Sequence, residues 1–348
     1  MKMKKTYKTT NIYFLYQRKL FALMLFVSLI ISCQPSSKKE EKIQKQEIKK
    51  DEFAQLNDDI ASHPENAALY YKRSQIFMQK NNIKQAFDDI NKAVSIDSTK
   101  TDYYLMLADV SFKGLQIQKA IDAFKKAISI DPKSKEAHLK LSELYLYIKA
   151  YTPCLSEANE VLMIDKNIAK AYFIKGFAYK ETADTPKAIS SFQTTVEIQS
   201  EYYDAYIQLG NIEAARKHKI ALQYYNNALR LQPNSTEALY NRGLLFQNMG
   251  ELDRALEDYN SILKTDSRYA DAHYNIGYID LAYNKDYKSA ITHFTDAIRI
   301  NNQYAEAFYN RGVAFELLGD KKSAEKDFRQ ALSIVPTFKL AKDKLKGK

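Results

Sequence analysis

The sequence predicts an all-α protein, an α-solenoid of about eight helical hairpins with a single helix at each end. Three observations carry this. From Asp51 onward the apolar residues recur at helical spacing, with no alternating strand pattern. The chain repeats itself, with segments at 67–100, 101–134, 135–168, 169–202, 203–235, 236–269, 270–304 and 305–338; six have 34 residues, one 33 and one 35. Composition agrees, because nine glycines and no tryptophan beside 26 tyrosines leave few tight turns and much helix.

Each hairpin has its own signature. The eighth place is always small: Ser74, Ala108, Ser142, Gly176, Gly210, Gly243, Gly277 and Gly312. A second small place recurs as Ala86, Ala120, Cys154, Ala188, Ala221, Ala255, Ala290 and Ala324, and four residues later stands an aromatic in Phe124, Phe192, Tyr225, Tyr259, Phe294 and Phe328. Small residues let two helices approach closely, and the ring one turn away fills the wedge between them. Pro132, Pro233 and Pro336 close three repeats, since proline cannot continue a helix. This pattern resembles the tetratricopeptide repeat family over about 270 residues. The third repeat departs most, with Cys154, Ala158 and Val161 at signature places and Lys166 in place of proline, and is expected to be the soft spot of the stack. Before the first repeat, Phe53, Leu56 and Ile60 make one apolar stripe, so 51–66 reads as a capping helix. Phe338, Ala341 and Leu345 do the same for 339–348.

The net charge of +10 is local. Residues 1–50 hold 12 Lys/Arg against 3 Asp/Glu, leaving 40 against 39 for the rest, so no nucleic-acid partner is expected. Lys2 to Lys19 precede an apolar run from Leu20 to Ile31. Twelve helical residues span only about 18 Å, too short for a bilayer core of about 30 Å, so 1–32 reads as a signal peptide. The run ends Leu29-Ile30-Ile31-Ser32-Cys33, which resembles a bacterial lipobox and implies diacylation of Cys33 after cleavage. Residues 33–50, rich in Lys, Glu and Gln, read as a flexible tether. Gln34 rather than aspartate after the cysteine points to the outer membrane by the same resemblance. Cys154 would then have no intrachain partner.

No catalytic motif, phosphate loop or paired-cysteine metal motif is present, so no enzyme, cofactor or metal is expected. His138 and His273 occupy fourth places, where packing is expected, and Cys154 a small contact place, where an inert thiol is expected. The resemblance implies that first helices line a partner-binding concave face. There Tyr240-Asn241, Tyr274-Asn275 and Tyr309-Asn310 hold the fifth and sixth places, with Gln208 at the sixth place of repeat five. Either the amides form a ladder for an extended peptide's backbone, or the pair is a common filler. Second places read Asp102, Glu136, Asp204, Glu237, Asp271 and Glu306, broken by Lys170; they give the groove a negative wall or complement helix dipoles.

Arginine holds the seventh place only as Arg73, Arg242 and Arg311, and only those repeats carry aspartate sixteen residues later. In a hairpin these places face each other, predicting the salt bridges Arg73–Asp89, Arg242–Asp258 and Arg311–Asp327. Together these features predict a lipid-anchored scaffold whose groove docks an envelope protein or extended peptide; the alternative is a structural subunit of a secretion, pilus or outer-membrane insertion machine.

Overall fold

The structure is a computed structural model that describes residues 53–346. The expected signal peptide, Cys33 and the expected tether lie outside the described residues. The described residues are helical with short turns and no strand. They divide between Asp184 and Thr185 into two compact units, and the division falls between the two helices of the fourth repeat.

The first unit begins with helix α1 (53–62). It continues with α2 (Ala67–Gln79), α3 (Ile83–Ile96), α4 (Thr101–Lys113), α5 (Ile117–Ile130), α6 (Lys135–Tyr147), α7 (Tyr151–Ile164) and α8 (Ala169–Glu181). The second unit runs α9 (Thr185–Ile198), α10 (Tyr203–Ala215), α11 (Ala221–Leu231), α12 (Thr236–Met249) and α13 (Leu252–Thr265). It ends with α14 (Ala270–Ile279), a π-helical turn (Asp280–Asn284), α15 (Tyr287–Ile300), α16 (Ala305–Leu317), α17 (Lys321–Ile334) and α18 (Lys339–Lys346).

Helix contact is set by the small places. A Cβ added at Gly210 would lie 2.5 Å from the Tyr225 ring, at Gly243 2.7 Å from Tyr259, and at Gly312 2.8 Å from Phe328. Each ring therefore lies on the bare backbone of the partner helix. Where the eighth place is serine, the aligned ring is replaced by Ile90 or Ala158, and the hydroxyl bonds the second helix instead. Ser74 Oγ donates to the Ala86 carbonyl at 2.9 Å and Ser142 Oγ to the Cys154 carbonyl at 3.0 Å. The third repeat is thus packed through small groups, with Cys154, Ala158 and Val161 fully buried. Burial pushes the Cys154 thiol up to about 11, so it is no ready nucleophile.

The turns inside the hairpins share one solution. A residue at the fifteenth place adopts the left-handed conformation: Asn81, Leu115, Lys149, Ala183 and Lys217, with Gly250 and Gly319 in two further repeats and Lys285 at the sixteenth place of the longer repeat seven. The amide after it closes onto the first helix, as in Asn82 N–H to Phe77 O at 2.8 Å and Glu251 N–H to Phe246 O at 2.9 Å. The two odd repeat lengths are absorbed here. Repeat seven places its extra residue in the π-helical turn, and repeat five shortens its second helix to 11 residues.

The ends are covered as the periodicity implies. Leu56 and Ile60 are buried, and Phe53 meets Phe77 edge-on at 5.5 Å. In the second unit Ala341 is fully buried and Phe338 packs 5.2 Å from Tyr309.

Candidate functional site: the first-helix face of the second unit

Three arginine forks hold the hairpins in register. Arg73 donates Nε to Asp89 Oδ2 and Nη2 to Asp89 Oδ1, both at 2.7 Å. Arg242 makes the same fork to Asp258 at 2.9 and 2.7 Å, and Arg311 to Asp327 at 2.8 and 2.9 Å. The spacing argument missed a third contact. Nη1 of each arginine reaches back sixteen residues to the preceding helix, to Asn57 at 2.9 Å, Asn226 at 2.7 Å and Thr295 at 3.0 Å. Each fork therefore joins three helices, and Lys175 makes the backward contact alone, to Asn159 at 2.8 Å. The signal was present as a polar residue sixteen places before each cation.

His138 and His273 pack as their fourth place requires and also bond. His138 Nδ1 lies 2.6 Å from Glu157 Oε2 and Nε2 3.2 Å from the Pro132 carbonyl. His273 Nε2 lies 3.2 Å from the Ser267 carbonyl, and its Nδ1 3.2 Å from Nδ1 of His293. A carbonyl only accepts, so Nε2 of His273 donates to Ser267, and one of the two facing Nδ1 atoms donates to the other. Burial, then the neighbouring His273, holds His293 below its ordinary range. Among the described residues no group of three His, Cys, Asp or Glu could hold a metal ion.

On the first helices of the second unit, α10, α12, α14 and α16, the amides of the sixth place are unequal. Asn241 is half-buried and donates Nδ2 to Asn211 Oδ1 at 3.1 Å, where the Tyr225 hydroxyl also donates at 2.8 Å. Asn310, 9% exposed, donates to the Tyr274 hydroxyl at 2.9 Å. Asn275 is 5% exposed, and its Nδ2 has no hydrogen-bond partner. Gln208 is half-buried. The three tyrosines lie among rings: Tyr240 is 5.8 Å from Tyr269, Tyr274 stacks on Tyr304 at 4.8 Å, and Tyr309 is 5.7 Å from Phe328. Two amides are thus committed to the helix stack, which a row of residue types did not reveal.

The acids of the second place are unequally paired. In the first unit Glu136 shares Lys140 at 3.0 Å with Asp109 at 2.6 Å, Asp102 has no ion pair among the described residues, and Lys170, itself at a second place, pairs Glu143 at 2.5 Å. In the second, Asp204 and Glu306 have no ion pair among the described residues, and Asp271 accepts from the Tyr304 hydroxyl at 2.9 Å. Burial raises the Asp271 carboxyl, with the Tyr304 bond opposing it. Asp204 is open to solvent, yet the protein around it also pushes its carboxyl up. The first-helix face of this unit thus carries acids and tyrosine rings side by side, an arrangement suited to binding.

Comparisons with known proteins identify the repeats. Tetratricopeptide repeat models match residues 67–100, 101–134, 236–269 and 305–338, and a TPR repeat model matches 280–319. A TPR repeat-containing protein of Methanocaldococcus jannaschii is 27% identical over 203 residues, covering 54% of this chain and 35% of that one. The human protein O-mannosyl-transferase TMTC3 is 24% identical over 152 residues, 43% of this chain but 17% of that enzyme. The chain spans less than half the length of these curated relatives. Among solved structures, the C-terminal part of a TPR repeat-containing protein from Cytophaga hutchinsonii superposes with a TM-score of 0.60 at 18% identity, over 71% of this chain and 99% of that one. This likeness is one of fold.

Proposed function

We propose that this chain of tetratricopeptide repeats is a lipid-anchored scaffold whose second unit docks an extended, basic segment of an envelope protein. The observation that carries the docking surface is the first-helix face of α10 and α14, where Asp271 accepts from the Tyr304 hydroxyl at 2.9 Å beside the stacked Tyr274 and Tyr304 rings and Asp204 is exposed. Lysine or arginine side chains of an incoming segment find Asp204 and Asp271 there. Tyrosine rings supply flat apolar area at low entropic cost, and the half-buried amides of Gln208 and Asn241 are the groups that meet a peptide backbone. Binding a backbone through an amide tolerates many sequences, while the acids impose the charge preference.

The anchor rests on the lipobox-like run ending at Cys33, and Gln34 favours the outer membrane. Several acyl chains hold a protein at a bilayer far longer than one. The tether of 33–50 gives the repeats reach.

Peptide display against the full chain tests the groove. Lys/Arg-containing extended peptides are expected to be enriched. Changing Asp204→Asn, Glu237→Gln and Asp271→Asn together weakens them about 100-fold or more, since hydrogen bonds to charged groups contribute about 1.5–3 kcal/mol each. Peptides that bind the triple variant equally well would overturn the groove. Metabolic labelling with a fatty-acid analogue tests the anchor separately: Cys33→Ser abolishes the label if the anchor is right, and label that persists refutes it.

A further inference from the structure

The turns inside the hairpins carry a surface that the docking face does not use. A short turn makes the two helices of a hairpin antiparallel, so within one unit these turns share one edge and the links between hairpins share the other. Among the described residues, twelve large apolar side chains are exposed, and eight of them sit at or beside the inner turns. Single exposed apolar residues are ordinary, but a repeated place is not. In the second unit they recur in every complete repeat: Ile220, Met249, Tyr283, Leu317 and Leu318, with Tyr283 at 51% and Leu317 at 52% exposure. At the opposite edge the links 199–202, 232–235, 266–269 and 301–304 carry no exposed large apolar residue, and Val335 is the first to appear.

Basic residues accompany the apolar ones. Lys217 and Lys219 flank the turn of repeat five, Lys285 and Lys288 that of repeat seven, and Lys321 and Lys322 that of repeat eight; among the described residues none of the six is in a salt bridge. The acids of the same edge are mostly engaged. Glu213 accepts from Arg216 at 2.9 Å and faces His218, Glu251 pairs Arg254 at 2.6 Å, and Glu316 pairs Lys344. Asp286 and Asp320 cap the following helices through the Ser289 and Ser323 amides, each at 3.0 Å, and with Asp253 they are the exposed acids of this edge without an ion pair among the described residues, three against the six lysines. The edge therefore offers cationic charge with aliphatic and tyrosyl tips beside it.

We propose that the inner-turn edge of the second unit rests on an anionic phospholipid bilayer. The lysines meet lipid phosphates, while Ile220, Met249, Tyr283, Leu317 and Leu318 enter the headgroup region. A purely acidic surface would answer the charge alone and leave five apolar tips in water; the interfacial region of a bilayer answers both. This contact does not depend on Cys33. It lays the unit on the surface by one edge and leaves the first-helix face turned sideways, open to a partner.

The chain has no tryptophan, so Tyr283→Trp makes a single reporter at the edge and Asn302→Trp one at the opposite edge. Both are read in the full chain carrying Cys33→Ser. With vesicles containing phosphatidylglycerol, the Tyr283→Trp emission is expected to shift to the blue and to be quenched by brominated lipid, while Asn302→Trp keeps its aqueous emission. Changing Lys285, Lys288, Lys321 and Lys322 together to Glu weakens the lipid dependence of the shift by about 100-fold or more. Three results would overturn the proposal: no blue shift from the Tyr283→Trp reporter on vesicles that carry the protein, an equal shift at both edges, or a shift produced by polyglutamate and not by vesicles. An equal shift on purely phosphatidylcholine vesicles would overturn its electrostatic part. Because the reporter reads local contact, an N-terminal segment that holds the chain on the vesicle cannot imitate the result.

Discussion

Removing the carboxylate from the Arg242 fork exposes what these forks do. The Asp258 side chain is 4% exposed and that of Arg242 23%. Asp258→Ala leaves Nε and Nη2 of the guanidinium facing a methyl group, with Nη1 still on Asn226 at 2.7 Å. Breaking a buried pair costs about 3–5 kcal/mol, and partial access of water to the arginine reduces this to about 2–4 kcal/mol. Arg242→Met strands the more buried partner and reaches the upper end of the full range. Arg242→Met with Asp258→Leu strands neither and is expected to cost about 1–2 kcal/mol, so the coupling, the two single costs less that of the double, is about 5–8 kcal/mol. Repeat arrays need not unfold in one step, so the assay is hydrogen exchange on peptides from α12 and α13, with urea unfolding by circular dichroism beside it. Since Nη1 ties the fork to α11, protection there should fall too in Arg242→Met. Single variants costing under about 1 kcal/mol, with additive effects in the double, would refute the reasoning.

Other consequences are more local. Gly210→Ala drives a methyl group into the Tyr225 ring, which is buried and held by Asn211, and is expected to cost about 1–3 kcal/mol despite alanine's better helix propensity; a higher urea midpoint would contradict this. In Cys33→Ser protein the Cys154 thiol should stay silent to a disulfide reagent until denaturant is added, because burial holds it up at about 11; stoichiometric labelling of native protein would be the contrary result. His293 is held below its ordinary 6.5, so the unfolded chain binds the proton first. Its contribution is complete above about pH 6.5 and is lost as pH falls below that, and His293→Gln should flatten this part of a melting-temperature profile. A profile unchanged by that substitution would contradict the assignment.

The hairpins were readable because their cause is written locally. A residue without a side chain at one place and a ring sixteen residues on is a contact stated twice in the sequence, and Gly243 with Tyr259 obeys it. The arginine forks were readable for the same reason, as paired departures in the same three repeats. The turn conformation was not. All eight turns use a left-handed residue, but only Gly250 and Gly319 advertise it; Leu115 and Lys149 adopt it because the closing hydrogen bonds and helix packing outweigh about 1–2 kcal/mol of local strain. The amide row was legible as residue types and not as roles. Asn241 and Asn310 found partners on neighbouring helices, which depends on distances that no single repeat contains. The two-unit division left no mark in the repeat register either, since Asp184 and Thr185 lie inside a regular segment of 34 residues.

Photo-crosslinking in the native cell tests the central claim most directly. A benzoyl-phenylalanine at Gln208, on the first-helix face, and one at Gln223, exposed on the second helix of the same hairpin, sample the two faces of repeat five. Docking on this face predicts a dominant protein adduct from position 208 that disappears when Asp204, Glu237 and Asp271 are neutralised, with position 223 giving none of it. The same adduct from both positions, or one indifferent to the three acids, would contradict docking in this groove.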